Sequence, residues 1–217
     1  AQNKIASKLM SQVEEDFRQQ TSSAGLQKIE WHTAFDDPVN VMTLQARHAD
    51  IVVISQSDSS DESGVAVDFP ERLVLNAGRP ILILPNIDNF SSIGKRILVA
   101  WNASQEAARA VSSAIPLLRS ADRVFVVTVE SKAGKSSIVP NENIIHYLER
   151  LGVHPELKES HGVEIDVGNE LLSRASELDA DLIVMGCYGH SRLREWVLGG
   201  VTRTILETMT VPVLMSH

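Results

Sequence analysis

Asp181-Leu182-Ile183-Val184-Met185-Gly186-Cys187-Tyr188-Gly189, followed nine residues later by Gly199-Gly200-Val201-Thr202, is the stretch that decides the fold. The run from Leu182 to Met185 is apolar and short, which suits a strand covered on both faces. It feeds a glycine turn, and a second glycine cluster opens further on. A strand, a glycine turn and a helix start together make a cradle for phosphate. Backbone N–H groups approach an anion where no Cβ intervenes, and a helix N-terminus adds partial positive charge. Glycine spacing alone is common to many strand-to-helix turns, so the surrounding chain has to decide.

Around that stretch, strands and helices alternate. Lys95 to Trp101 reads as a strand, with Asn102-Ala103-Ser104 as turn and N-cap of an Ala-rich helix from about Gln105 to Arg119. Arg123 to Val129 is a second strand, and Lys132 to Pro140 a loop. Asn141 to Leu151 is a helix ended by Gly152, and Glu156 to Ser160 a third strand. Asn169 to Leu178 is helical, Ala180 to Met185 is strand four, Arg192 to Met209 is helical, and Val211 to Met215 is strand five. Apolar runs alternating with helices imply strand–helix–strand units and a parallel sheet.

The first half repeats the later part of this pattern. Ala49-Asp50-Ile51-Val52-Val53-Ile54-Ser55 matches Ala180-Asp181-Leu182-Ile183-Val184-Met185-Gly186 in character at every position. Arg79-Pro80-Ile81-Leu82-Ile83-Leu84 matches Val211-Pro212-Val213-Leu214-Met215-Ser216. Asp50 lies 30 positions before Pro80, and Asp181 lies 31 before Pro212. The pattern is that of a duplicated domain: copy one over residues 1–86, a polar linker over 87–94 and copy two over 95–217. Copy one opens on an amphipathic helix (Asn3 to Gln20) and an expected strand, Gln27 to Ala34. It has no counterpart of residues 95 to about 131, so an open edge is expected at its fourth strand. Upstream sequence is expected to have been removed, left out or replaced by a partner.

Composition narrows the class of function. The chain has 217 residues, 43% of them hydrophobic and 22% charged, with a net charge of −8. No Lys/Arg run occurs, which argues against nucleic-acid and anionic-membrane partners, since that affinity comes mainly from clustered cations. No apolar stretch approaches the roughly 20 residues of a spanning helix, and no secretory leader is visible. The single cysteine, Cys187, precludes an internal disulfide framework and fits a reducing compartment, so the expected location is the cytoplasm.

With both copies in view, the chain resembles the universal stress protein family in its tandem form. The resemblance covers copy two and the later two-thirds of copy one. Its signature is Gly186-x2-Gly189-x9-Gly199, with the strand before it, the Val211-Pro212-Val213-Leu214 strand after it, and Ile97 to Ser104 as first strand and turn. The resemblance implies an α/β fold: tandem Rossmann-like sheets of the adenine nucleotide alpha hydrolase-like type, parallel, of order 3-2-1-4-5, flanked by helices. In such a sheet the order reverses between strands one and four, and ligands sit at their carboxyl ends. Carried over by position, Asn102 and Val129 would hold base and ribose. Gly186, Gly189, Gly199, Gly200, Val201 and Thr202 would hold phosphate, with His190 and Arg192 in reach of it. The implied ligand is ATP or another adenine nucleotide, with Mg2+ as a companion. Pairing through strand five is also implied, here inside one chain as a pseudo-dimer through Ile81 to Leu84 and Val213 to Met215, with a homodimer as a further assembly.

The chain departs from the family pattern at two places. Gly200 stands where a hydroxyl residue is usual, and Asn102 where an acidic residue is usual, with bulky Trp101 before it. Trp101 either stacks on an adenine or plugs the crevice. In copy one, Ser55, Asp58, Val67 and Asp68 occupy the cradle positions, and two acids there repel phosphate. Arg194 and Arg203 are read as helix-face residues, and Cys187 as a small turn residue. The histidines show no metal spacing such as H-E-x-x-H, and no catalytic residue is assigned. The cradle has no G-K-[ST] lysine, so binding is expected, with slow ATP hydrolysis at most. The alternative is a member that binds no nucleotide and acts through protein interaction and dimerisation.

Overall fold

The computed structural model describes residues 2–57, 65–87, 90, 92–129, 142–160, 166–187 and 200–217. They belong to two compact units, Ala1–Asp36 and Asp37–His217. In the first unit, α1 (Gln2–Ser23) ends at Gly25, whose φ is +71°. Gly25 N–H donates to the Ser22 carbonyl and Leu26 N–H to the Thr21 carbonyl, both at 3.0 Å. This bond pair closes a helix on a left-handed residue. Phe17 and Trp31 pack with ring centroids 5.3 Å apart. The strand expected from Gln27 to Ala34 is not formed. Strands exist only as members of a ladder, and no described strand pairs with this stretch.

The second unit begins with α2 (Pro38–Ala46), β1 (Val52–Ser55), α3 (Phe69–Asn76) and β2 (Ile81–Leu84). It continues through β3 (Arg96–Ala100), α4 (Gln105–Ser120), β4 (Arg123–Val129), α5 (Glu142–Arg150) and β5 (Pro155–Ser160). It ends with α6 (Val167–Glu177), β6 (Leu182–Gly186), α7 (Gly200–Thr208) and β7 (Val213–Ser216). Local chemistry sets the helix starts. Asp37, Ser104 and Asp166 each cap a helix by accepting a hydrogen bond, from Asn40, Ala107 and Gly168 N–H respectively. At the far end of α5, Gly152 and Val153 repeat the closure seen at Gly25 and Leu26, donating to Glu149 and Leu148.

The seven strands among the described residues form one mixed sheet of order β1-β2-β7-β6-β3-β4-β5. This corrects the expectation of separate parallel sheets of order 3-2-1-4-5: there is one mixed sheet, in which only the β5-β4-β3-β6-β7 part follows that succession. β2 pairs antiparallel with β7 (Ile81 with Met215, Leu82 with Leu214, Ile83 with Val213), and every other pairing is parallel. Two strands that would each have been an exposed edge satisfy each other's backbone groups instead. Among the described strands β1 lies at one end of the sheet, where the open edge was expected.

Helices lie on both faces. On one, α2, α3, α6 and α7 cover a core that includes Val52, Leu73, Ile81, Ile83, Ile183, Ile205 and Met215. On the other, α4 and α5 cover Ile97, Val99, Val126, Leu182, Val184 and Leu214. Each large aliphatic side chain so buried contributes on the order of 2 kcal/mol. At the amino ends of the strands, the Asp181 carboxylate accepts from Ser92 Oγ and from the N–H groups of Gly94, Lys95 and Arg96, at 2.8–3.1 Å. That knot fixes where the chain enters β3, and it sets β3 beside β6.

Candidate functional site

β3 has β6 on one side and β4 on the other. α4 leaves β3 toward one face, while α7 follows β6 on the other face. The carboxyl ends of β3 and β6 are therefore the place where the order turns, where an open α/β sheet leaves a crevice.

At the end of β3, Trp101 N–H donates to the Val127 carbonyl at 2.9 Å, and the indole packs on the core under α4. Asn102 is exposed; its Oδ1 accepts from Ser104 N–H at 3.1 Å, which leaves its NH2 as a donor. Ala103 adopts φ +58° to let the chain turn into α4. Ala100 is level with Val127 in the ladder, so Asn102 and Val129 leave neighbouring strands at one height. Val129 is half-buried and packs on the core beneath α6 and α7.

At the end of β6, Gly186 has a steric reason to be glycine. A Cβ there would lie 2.3 Å from Ala107 N and 2.4 Å from the Glu106 carbonyl carbon. The first turn of α4 fills the space, so this glycine serves helix–sheet packing. Cys187 is buried, its N–H donating to the Ser216 carbonyl at 3.0 Å and its thiol to the same oxygen at 3.3 Å. Burial first, and the Glu106 charge second, push the thiol well above its usual range. It stays protonated and inert as a nucleophile.

α7 opens at Gly200, which is exposed, and a Cβ added to it would meet no neighbour among the described residues. Val201 packs on the core and Thr202 is only 3% exposed, so their side chains face inward, leaving backbone N–H groups as what they offer a ligand. Arg203 pairs with Glu207 along the helix at 2.7 Å. Gly189, His190, Arg192 and Gly199 lie outside the described residues, as does Asp58 of copy one. Asn102, Val129, Gly186 and Gly200–Thr202 are all placed at carboxyl ends of strands or at the helix start that follows. Among the described residues no group of three or more His, Cys, Asp or Glu side chains is set to hold a metal ion, and no helix is long and apolar enough to cross a membrane.

Sequence reasoning missed Glu106. It sits half-buried in the first turn of α4, against Gly186, and places a carboxylate beside the crevice. An acid two residues after a serine N-cap is an ordinary helix-start pattern, which is why it drew no notice.

The sequence model of the universal stress protein family matches residues 94–217, the segment that runs from the Asp181-bound turn through β7. The chain belongs to the universal stress protein family. Universal stress protein Slr1230 of Synechocystis sp. is 29% identical over 152 residues, 66% of this chain and 49% of its own. Universal stress protein YxiE of Bacillus subtilis is 30% identical over 91 residues, 42% of this chain and 60% of its own. The chain thus spans about half to three-fifths of the length of these two universal stress proteins. A crystal structure of a universal stress protein from Archaeoglobus fulgidus superposes with a TM-score of 0.76 at 20% identity, over 97% of this chain and 78% of that one. That likeness is one of fold.

Proposed function

We propose that this universal stress protein is a cytoplasmic, stress-responsive binding protein built of two copies, residues 1–86 and 95–217 joined by 87–94, and that copy two holds an adenine nucleotide. The observation that carries this reading is the meeting at one end of the sheet of the Asn102 turn, the end of β6 and the open N-terminus of α7 at Gly200. Asn102 and Val129 supply the side toward the base. The backbone at Gly200, Val201 and Thr202, with Gly189, His190, Arg192 and Gly199, supplies the side toward phosphate. Mg2+, where present, comes with the nucleotide. Within one chain the β2–β7 ladder plays the part of a dimer seam, and a homodimer is a further assembly of the same family logic.

Isothermal calorimetry with ATP, ADP and AMP tests the reading. Because a side chain at Gly200 meets no neighbour among the described residues, Gly200→Val changes the cradle without disturbing their packing. Saturable binding weakened at least about tenfold by Gly200→Val, with the melting temperature held, is the expected result. Flat titrations of the intact chain would overturn it.

A second reading, a member that binds no nucleotide and works through protein contacts, draws on a different observation. The first turn of α4 occupies the space over Gly186, and Glu106 sets a negative charge there. Under that reading ATP leaves the thermal stability unchanged.

A further inference from the structure

Glu106 is a carboxylate that the fold sets against Gly186. Its Cβ lies 2.8 Å from where a Cβ on Gly186 would stand, and its carbonyl carbon 2.4 Å. It is half-buried, and its charge reaches one residue further, to the Cys187 thiol, which it helps to raise. Among the described residues no Lys, Arg or His lies within ion-pair distance of its carboxylate, Arg109 one turn on included. Arg203, on α7, is held by Glu207 at 2.7 Å. The N-terminus of α4 offsets part of the charge, but a helix end carries only about half a unit charge. Moreover, the Ala107 N–H of that turn is already taken by Ser104 Oγ at 3.1 Å. A negative charge is thus left standing at the carboxyl end of β6.

We propose that Glu106 makes the copy-two crevice read the number of phosphates on an adenine nucleotide, favouring the monophosphate over the triphosphate. The backbone N–H groups at the start of α7 attract any phosphate. Glu106 works against them, and its effect grows with the charge of the ligand. The tail of ATP carries about twice the charge of that of AMP, so at equal distance a fixed charge raises its free energy about twice as much. Affinity factors multiply where free energies add, so a penalty of about threefold for AMP becomes about tenfold for ATP. Occupancy of the crevice then follows AMP and rises as triphosphate is spent. The inference rests on copy two holding an adenine nucleotide, and adds the order in which such ligands are taken.

The test is isothermal calorimetry at low salt, with EDTA to keep the phosphate tails free of metal. AMP and ATP are titrated into the full chain, into Glu106→Gln and into Glu149→Gln. Glutamine keeps the size of the side chain against Gly186 and removes its charge. Glu149 is exposed in the last turn of α5, which leads into the amino end of β5. Its variant therefore makes the same change in net charge at the opposite end of the sheet from the crevice.

The parent chain is expected to bind AMP at least as tightly as ATP. Glu106→Gln should gain about tenfold for ATP and about threefold for AMP, with the ATP gain shrinking at about 0.5 M salt. Glu149→Gln should stay within about twofold of the parent for both. A parent that binds ATP the more tightly overturns the proposal. So does a Glu106→Gln gain that is nil, equal for the two nucleotides or matched by Glu149→Gln; in each case binding persists and the nucleotide reading stands. Flat titrations of the parent and of Glu106→Gln alike overturn that reading, and the ranking with it.

Discussion

β1 and β6 are two strands with nearly the same sequence character, the same two anchoring hydrogen bonds and the same kind of partner on one side. They differ in what lies on the other side. β6 has β3 along its edge and α4 across its face, and all of Leu182 to Met185 is buried. β1 has neither; Val52 and Ile54 turn toward the core and Val53 and Ser55 turn out. An apolar run such as Ile51 to Ile54 is thus written for two covered faces, and the fold delivers one. The lesson is that a strand's burial belongs to its neighbours as much as to its letters.

The largest effect that would sharpen this contrast is at Gly186. Gly186→Val drives a side chain into the backbone of Glu106 and Ala107 and should cost about 3 kcal/mol or more in urea unfolding. The mirror change, Ser55→Gly, should cost no more than about 1 kcal/mol, the backbone-entropy effect of glycine in a strand. Equal costs at the two sites would break the comparison.

A middle-sized effect is expected at the aspartate that precedes each strand. Asp181 accepts four hydrogen bonds from the turn into β3, so Asp181→Asn should lower stability by about 2 kcal/mol. Asp50, its counterpart, is exposed, and no hydrogen bond or ion pair to a described residue holds it. Asp50→Asn should stay within about 0.5 kcal/mol. A double-mutant cycle is unnecessary; two urea midpoints decide it.

The smallest effect lies where α3 meets α7. Burial, then the charges of Asp68 and Glu207, raise the Glu71 carboxyl above its ordinary 4.5, with Arg203 pulling the other way. The folded state therefore holds this proton more tightly than the unfolded one. The stability it contributes is full below the ordinary value and is lost as pH rises through the raised one. Glu71→Gln should leave the melting temperature at pH 7 equal to the parent's or slightly higher, with the difference closing below the ordinary carboxylate range. A drop at pH 7 would show that the Arg203 attraction outweighs the burial.

Much of the second half could be read from the residues. Ser104 as N-cap, Gly152 as helix end and Arg123–Val129 as strand are where local chemistry put them. The first half was less legible for two reasons. Asp37-Pro38 and Asp68-Phe69-Pro70 carry the start signals of α2 and α3, short helices whose apolar periodicity is brief, and they went unread. Gln27 to Ala34 carries strand residues, yet a ladder needs a partner that local pattern cannot supply. At the candidate site, spacing singled out Gly186 as a cradle position, whereas the structure gives that glycine a packing role. The reason, the first turn of α4 closing on it, is a contact across about 80 residues of sequence.

The β2–β7 ladder has a consequence for motion. Main-chain hydrogen bonds and one continuous core join β1 and β2 to β7 and its neighbours in a single sheet. Rotation of β1 and β2 against the rest of the second unit would have to break that ladder and open Ile81, Ile83, Val213 and Met215 to water, so a hinge between β2 and β3 is not available within this unit.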